Sequence, residues 1–293
     1  YEDKDENNAP TRRYLDAGED RPQGVLIGYY LAEDASDLKL EILDQDGNVI
    51  RTITPKPAER EEMREDEKAE LKSRVYAPIK AGMNRFLWDM RHEDGAKIKG
   101  KEPAATVAVG PYAIPGEYKV RLTVGDVSQT QPFTLLADPR VTTSAEDMTA
   151  QLDLLLQIRD KIGEGNEVVN TIRDIDAQVD GWLKRVPDEK VQEAGKALKE
   201  QLKAIESPLI PRGNTGGWEI MRAKSRLLTQ LANLRSYVAC ADFKPTAAAH
   251  EHYDFLVKQM DEQLAAYDTA LGAEVASFNQ LVAKAGAPAV VIG

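Results

Sequence analysis

The chain has 293 residues and a formal net charge of −11 at pH 7; 42% of its residues are hydrophobic and 30% are charged. This length is sufficient for two domains with separate cores, and the composition is typical of globular proteins. The acidic balance argues against a nucleic-acid-binding surface, because phosphate groups require a basic field. No apolar run approaches the roughly 20 residues of a membrane-spanning helix, and the single cysteine, Cys240, excludes a disulfide within the chain.

The first 20 residues begin YEDKDENNAP and are rich in acidic and polar side chains. This start has neither an initiator methionine nor the basic and apolar regions of a signal peptide. We therefore predict that residues 1–20 form a solvated acidic linker, as expected for a fragment of a longer chain.

Residues 21–140 carry a two-residue hydrophobic alternation, which is typical of β-strands with one buried face. Turn residues separate the apolar segments. The clearest predicted strands are 24–31, 38–42, 84–91, 117–124 and 131–136. About seven short strands with such turns predict a β-sandwich of immunoglobulin type.

The stretch from Asp44 to Asn48 has the acidic residues of a calcium loop but not their spacing. An EF-hand loop needs glycine at its sixth position and glutamate at its twelfth. Counted from Asp44, Gly47 falls too early and Pro55 occupies the last position. Because Gly47 and Asn48 tolerate positive φ between two apolar runs, this stretch predicts a β-hairpin turn instead of a metal site.

A charged insertion interrupts the predicted sandwich at residues 56–74, KPAEREEMREDEKAELKSR. Its few apolar positions suit either a charged surface helix or a disordered segment. In functional terms it is either an acidic docking arm or a solvated insertion. A second irregular stretch, residues 93–116, is rich in glycine and proline and predicts a long loop between two strands.

In residues 141–293 the apolar side chains recur at three- and four-residue spacing, which is typical of helices. Ser144 precedes two acidic residues and predicts a helix N-cap. The same hydrophobic phase continues to residue 186, so we predict one long helix over 144–186. Gly163 and Gly165 lie inside it and can bend it, because glycine disfavours a helix interior.

The rest of this half predicts four further helices, delimited by prolines and capping residues. They are a helix from Pro187 to Pro208, a helix over 218–238, a helix that begins after Thr246, and a short helix over 278–282. Short connections between amphipathic helices predict an antiparallel bundle of the four-helix type over residues 141–293.

The histidines and the cysteine do not form a motif for metal binding or nucleophilic catalysis. His250 and His252 are two residues apart, and on a helix they point in different directions, whereas zincin histidines are four apart. Cys240 lies at a predicted helix end, where we expect a small buried apolar residue rather than a nucleophile.

Three other features with potential chemistry are better explained structurally. The glycine-rich stretch Gly213–Gly217 lacks the Lys-Ser/Thr of a P-loop and predicts an interhelical loop. The acid pair Glu61–Glu62 lies on a polar segment with no apolar wall to raise a pKa. Trp88 is either a sugar platform or a core side chain of the sandwich, and we predict the core. The sequence therefore predicts no catalytic residues, no cofactor site and no metal site.

The β half is similar to the C-terminal region of the bacterial BNR-repeat proteins, described as glycosyl-hydrolase-like or as having a sortilin-type propeller. The segments that carry this resemblance are GVLIGYYLAEDASDLKLEILDQDGNVIRTI, AGMNRFLWDMRHED and GPYAIPGEYKVRLTVGDVSQTQPFTLLADPRV. The helical half resembles the same family through LLLQIRDKIGEGNEVVNTIRDI, LLTQLANLRSYVACADFKPTAAAHEHYDFLVKQMDEQLAAYD and FNQLVAKAGAPAV. The G-x-N…W-D and P-G-x-Y elements also resemble the immunoglobulin-like domain of flagellar hook-capping proteins.

This resemblance implies a non-catalytic protein-interaction or structural module at the C-terminus of an exported propeller protein, in the periplasm or outside the cell. Its expected partners are the β-propeller of the same parent chain or envelope protein subunits. One alternative is an accessory part of an active carbohydrate hydrolase of the sialidase or glycosidase type, for which carbohydrate would be a ligand. The other is a structural subunit of a larger envelope complex. None of the matching motifs is catalytic, and no propeller repeat occurs in the sequence.

Overall fold

The computed structural model describes residues 2–4, 10–12, 23–60, 63, 65–100, 107–211 and 225–286. Its β-strands are all antiparallel. They are β1 (Glu2–Lys4), β2 (Pro10–Arg12), β3 (Val25–Leu31), β4 (Leu38–Leu43), β5 (Val49–Ile53), β6 (Gly82–Trp88), β7 (Gly116–Val124) and β8 (Val127–Leu135). We call residues 23–135 the β part.

Two sheets of the β part share one hydrophobic core. Strand β3 pairs with β6, and β4 lies between β5 and β7 in a four-stranded sheet that β8 completes. Burial alternates along β3 and β6, as the strand period requires, whereas the four consecutive residues 40–43 of β4 are all buried. Ile27 and Trp88 come from the first sheet and Leu40, Ile42 and Tyr118 from the second, and all of them belong to one buried cluster.

The turn between β4 and β5 is a hairpin, as the sequence predicts. Gly47 has a φ of +90°, a conformation that glycine adopts without steric cost. Both carboxylate oxygens of Asp44 accept hydrogen bonds from Asn48, one from the backbone N at 2.8 Å and one from Nδ2 at 2.9 Å. The acidic residue therefore serves the turn itself.

The charged insertion contains helix α1 (Glu65–Ser73). Of the two predicted alternatives, the charged surface helix is therefore confirmed for these residues. An ion pair of 3.0 Å between Glu65 and Lys68, one helical turn apart, supports the first turn of α1.

The helices that follow share a second core and form the helical part. They are α2 (Ala145–Arg185), α3 (Glu189–Leu209), α4 (Leu227–Val238), α5 (Ala247–Ala270) and α6 (Ala276–Lys284), and a π-helical turn (Leu271–Val275) joins the last two. Ser144 caps α2 as predicted, because its Oγ accepts a hydrogen bond from the backbone N of Asp147. The predicted long helix is confirmed.

The predicted end of α3 is confirmed to within one residue, because the helix ends at Leu209 and Pro208 lies in its last turn. Two other predicted helix boundaries need correction. Helix α4 begins at Leu227, after the non-helical residues 225–226, and the earlier part of the predicted helix lies outside the described residues. The predicted short helix over 278–282 belongs to α6, which continues from α5 through the π-helical turn.

Gly163 and Gly165 do not interrupt α2; they allow close packing against it. A Cβ on Gly163 would lie 3.1 Å from the backbone N of Ala96. A Cβ on Gly165 would lie 2.6 Å from Cδ2 of Leu228 and 2.8 Å from Cε of Met260. The helix-propensity cost of each glycine is thus offset by contacts that a larger residue would obstruct.

Residues 93–99 lie along α2, although the sequence predicts a loop of the β part. Asn166 and Asn170 each donate a side-chain hydrogen bond of 2.8 Å to this segment, to the carbonyl oxygens of Ala96 and Lys97. Ile98 is buried in the hydrophobic core of the helical part. The segment is a loop, as predicted, but its packing against α2 joins the two parts and was not predicted.

We expect Gly163→Leu to lower the free energy of unfolding by about 1–3 kcal/mol, the range typical of overpacking. The new side chain would displace the backbone of Ala96 from α2. Gly181→Leu is the matched control, because a Cβ on Gly181 in the same helix would have no described atom within 4 Å other than those of the adjacent helix backbone. The control should be neutral or stabilise by up to about 1 kcal/mol. Urea denaturation would measure both, and equal effects would contradict the proposed role of Gly163.

Candidate functional site

The first candidate site is the outer face of the β3–β6 sheet, which is apolar although it faces solvent. Leu26, Tyr30 and Met83 are 57%, 67% and 72% exposed. Tyr30 pairs with Met83 across the strands, and Leu26 pairs with Leu87. We call these four residues the outer β3–β6 face. Because the opposite face of the same strands already supplies the core, the stability of the β part does not require these apolar residues.

Gly28 occupies the centre of the outer β3–β6 face, opposite the exposed side chain of Arg85. A Cβ on Gly28 would meet only the carbonyl oxygen of Asn84, at 4.0 Å. No steric constraint among the described residues therefore demands glycine at this position. Glycine in a strand interior weakens the strand and often marks the close approach of another backbone or ligand.

The second candidate site is a cleft between the β part and the helical part, with a volume of about 500 Å³. One wall is the segment 109–115, held by antiparallel hydrogen bonds to residues 90–94. The backbone N of His92 donates to the carbonyl oxygen of Pro111 at 2.9 Å, and the backbone N of Ala113 donates to that of Met90 at 2.7 Å. The backbone N of Gly110 in addition donates to Oδ1 of Asp94 at 2.9 Å, so several points of this wall are fixed by hydrogen bonds to residues 90–94.

The opposite wall of the cleft is formed by α2 and α4. Met148 and Leu152 line it, although the sequence predicts both as part of the continuous apolar stripe of α2. Each is only half-buried, whereas the neighbouring Leu154 is 1% exposed and belongs to the core. Gln151 joins the two helices, because its Nε2 donates to the carbonyl oxygens of Val238 and Ala241 at 2.7 and 2.6 Å.

Two arginines enter the cleft from opposite walls. The Cζ of Arg91 lies 3.7 Å from the ring centroid of Tyr112, and its Nη1 donates to the carbonyl oxygen of Gly110 at 3.0 Å. Nη1 of Arg235 on α4 approaches the preceding carbonyl, that of Val109, at 3.5 Å. Both guanidinium groups are thereby held at consecutive carbonyls of one segment.

The two arginines raise the positive charge of a half-buried site. Burial lowers the pKa of Arg235, the positive charge of Arg91 lowers it further, and Asp94 opposes the shift. Neither guanidinium has an ion pair with a carboxylate among the residues that the structure describes. The two guanidinium groups therefore offer N–H donors to an anion, while the exposed Asp138 and Asp242 on the same lining balance their formal charges.

His92 lies directly behind the wall that carries Arg91. Its side chain is buried, and its Nε2 has no hydrogen-bond partner in the described part of the chain. Burial lowers the pKa of His92 to about 4, with a further contribution from the positive charge of Arg159, while Asp44 acts in the opposite direction. The imidazole is therefore neutral at physiological pH.

Most of the residues that the sequence suggested for metal or ligand binding lie away from both sites. Trp88 is 1% exposed and packs edge-on against Tyr118 and Phe133, so it cannot serve as a sugar platform. His250 and His252 are exposed on α5. No cluster of metal-ligating side chains occurs within the described residues, and the stretch 213–217 lies outside them.

The prediction that Cys240 is buried is wrong, because the side chain is exposed. Helix α4 ends at Val238, so the inward helical phase does not extend to Cys240. Its backbone N bonds the carbonyl oxygen of Tyr237 in the turn that follows the helix. The predicted helix end at Val238 is correct, and Cys240 is exposed because it lies in the turn beyond that end.

Arg91 and Arg235 were not predicted as site residues, but the sequence holds a signal for one of them. Arg235 follows Leu231 by four residues and precedes Val238 by three, so it shares the helical face of two buried residues. A charged side chain in an inward phase needs a partner or a cavity. Arg91 has no comparable signal, because its position depends on the fold of the segment 109–115.

No protein-family model, curated protein or solved structure matches this chain. Among the residues that the structure describes, no helix is long and apolar enough to cross a membrane.

Proposed function

We propose that this chain is a non-catalytic protein-interaction and structural module of an exported BNR-repeat propeller protein, located in the periplasm or outside the cell. The observation that carries the proposal is the outer β3–β6 face with Gly28 at its centre. An exposed apolar surface that the local core does not need is typical of a docking site for another protein. The occupant is a β-propeller of the same parent chain, which the family resemblance suggests.

The proposed architecture of the module is an immunoglobulin-like sandwich followed by an antiparallel helical bundle. Two antiparallel sheets with a common core and a buried Trp88 support the sandwich. The Oη of Tyr118, at the start of β7, donates to the carbonyl oxygen of Ile114 at 2.7 Å. Such a hydrogen bond to the backbone a few residues upstream resembles the tyrosine corner of immunoglobulin-like domains. The shared core of α2 to α6 supports the bundle.

A partner protein fits the outer β3–β6 face better than an anionic membrane does. The chain carries a net charge of −11, which opposes adsorption to anionic lipid headgroups. The face itself is apolar around one exposed cation, Arg85. A protein surface with an apolar centre and a carboxylate opposite Arg85 would complement it.

Site-specific photo-crosslinking tests the proposal. A photoreactive amino acid at Met83, introduced in the native host, should yield a covalent product whose cross-linked peptide belongs to a β-propeller. The same amino acid at Phe255, which is 59% exposed on α5, is the control and should not give that product. Absence of any protein product at Met83 would contradict docking, and a partner without propeller repeats would contradict the proposed occupant.

The variant Gly28→Thr separates docking from stability. Threonine has higher strand propensity than glycine and meets no obstruction at this position, so the free energy of unfolding should stay equal or rise by up to about 1 kcal/mol. In the docked protein the added side chain would hold the partner surface away from the sheet. We expect a strongly reduced cross-link yield at Met83, measured beside a urea titration of the same variant. An unchanged yield would show that the centre of the face is not in contact.

A further inference from the structure

We propose that the cleft between the segment 109–115 and helices α2 and α4 binds a small organic monocarboxylate with an apolar body. Its carboxylate would lie between Arg91 and Arg235, and its body would pack against Met148 and Leu152. The inference goes beyond the docking function, because it concerns a different surface and a different ligand class.

The geometry of the two arginines supports a carboxylate ligand. Each guanidinium has five N–H donors, and the contacts to the carbonyl oxygens of Gly110 and Val109 each involve only Nη1. Because those carbonyls belong to consecutive residues, the remaining donors come from both walls of one cleft. Planar guanidinium groups match a carboxylate with two parallel hydrogen bonds, which gives direction as well as affinity.

The backbone holds Arg91 in place before any ligand arrives. Met90 has a φ of +59°, and no other non-glycine residue among those described has a positive φ. Strained backbone of this kind persists only where the surroundings enforce it and often lies at binding sites. Here the indole N–H of Trp88 donates to the carbonyl oxygen of Arg91 at 2.9 Å, and Oδ1 of Asp89 accepts from its backbone N at 3.1 Å.

The other side chains of the cleft determine which net charge and which apolar portion of a ligand it accepts. Asp138 and Asp242 line the cleft and are exposed at its solvent side; Asp138 is ion-paired with Arg140 at 2.6 Å, so Asp242 is the charge that would repel a dianion. The net charge of −11 disfavours polyanions in the same way. The walls behind the arginines carry Met148, Leu152 and Leu155, which suit an aliphatic or aromatic body. A volume of about 500 Å³ is within the range of small-molecule sites.

Such a carboxylate has two sources, a free organic acid and the C-terminus of a peptide with an apolar last residue. Hydrocinnamate represents the first, and N-acetyl-alanyl-leucine represents the second. Their amides, hydrocinnamamide and N-acetyl-alanyl-leucinamide, keep the body and remove the charge. Phenyl phosphate keeps an aromatic body and carries the dianion that the cleft should reject.

Isotope-labelled methionine methyl groups give a local readout on the full chain. Met148 lines the cleft and Met83 lies on the outer β3–β6 face, so ligand in the cleft should shift the first signal and not the second. We expect at least one of the two carboxylates to shift Met148 with a dissociation constant below about 1 mM. The carboxylate that binds tighter identifies the source.

Charge variants test the role of the arginines. Arg235→Gln should weaken carboxylate binding by about tenfold or more, as expected for loss of a charge-assisted hydrogen bond. Arg235→Lys keeps the charge but lacks the planar guanidinium group. Its affinity for the carboxylate should therefore lie between that of the unsubstituted chain and that of Arg235→Gln. Arg85→Gln, on the outer β3–β6 face, is the matched control and should leave binding unchanged. The other methionine signals report whether each variant is folded.

Four results would overturn the proposal. The first two are a Met148 signal shift with the amides as large as with the carboxylates, and binding of phenyl phosphate that is tighter than that of the carboxylates. The other two are an unchanged carboxylate affinity in a folded Arg235→Gln variant, and no binding of either carboxylate at about 1 mM. None of these results bears on the outer β3–β6 face, whose test uses cross-linking at Met83.

Discussion

Replacement of Trp88 by alanine is expected to lower the free energy of unfolding by about 3–5 kcal/mol, the range typical of large aromatic residues in cores. Trp88 is 1% exposed, and its ring centroid lies 6.0 Å from that of Tyr118 and 6.1 Å from that of Phe133. The variant loses this packing and leaves a cavity between the two sheets. It also removes the indole N–H that donates to the carbonyl oxygen of Arg91.

Two further variants make this prediction specific. Trp88→Phe retains part of the ring but not the N–H donor, so its loss of stability should be smaller than that of Trp88→Ala. Met83→Ala, on the exposed face of the same sheet, should change stability by no more than about 0.5 kcal/mol. Urea denaturation of the three variants gives the comparison. A cost below about 1 kcal/mol for Trp88→Ala would contradict a core position for this residue.

The backbone path of the β part was largely predictable because its signals are local. The apolar run of β3 and the apolar–polar alternation of residues 38–42 and of β7 predicted strands, and the Asp44–Asn48 turn needs only its own residues to form. The 41-residue helix α2 was predictable for the same reason, since its cap and its apolar period are both present in the sequence. Local patterns of this kind predict structure well because the folded chain keeps the strand, turn or helix that each segment favours by itself.

The contact between the β part and the helical part was not predictable from the same patterns. Gly163 costs stability in an isolated helix, and only the approach of Ala96 explains its presence. Asn166 and Asn170 resemble ordinary polar surface residues until residues 93–99 lie against them. Both explanations depend on residues about 70 positions apart in the sequence, and no periodicity encodes such a pairing.

The cleft exists because the β part and the helical part are in contact. Arg91 precedes the segment that lies against α2, and Arg235 lies on the helix that Gln151 joins to α2. Both arginines line the cleft because both connections are formed. A pattern search finds nucleophiles and metal ligands but not a site of this kind, because two separated arginines have no characteristic spacing.

The pH dependence of stability should report the burial of His92. Its pKa falls from the ordinary value of 6.5 to about 4, chiefly because burial disfavours the imidazolium and also because Arg159 is positively charged. As the pH falls below 6.5, the unfolded chain binds a proton that the folded chain does not bind. The free energy of unfolding should therefore decrease through this window, by about 1.4 kcal/mol per pH unit at most.

The total loss attributable to His92 should reach about 3 kcal/mol near pH 4, since each pKa unit corresponds to about 1.4 kcal/mol. Below this pH the folded chain also binds the proton, and the contribution of His92 becomes constant. Asp138, whose pKa is lowered to about 2 by Arg140, responds at lower pH and is separable. Urea titrations of His92→Gln across the window should show a much smaller slope, whereas the exposed-site control His252→Gln should keep it. Equal slopes in the two variants would mean that His92 is not the buried neutral group proposed here, and that another titrating residue governs acid stability.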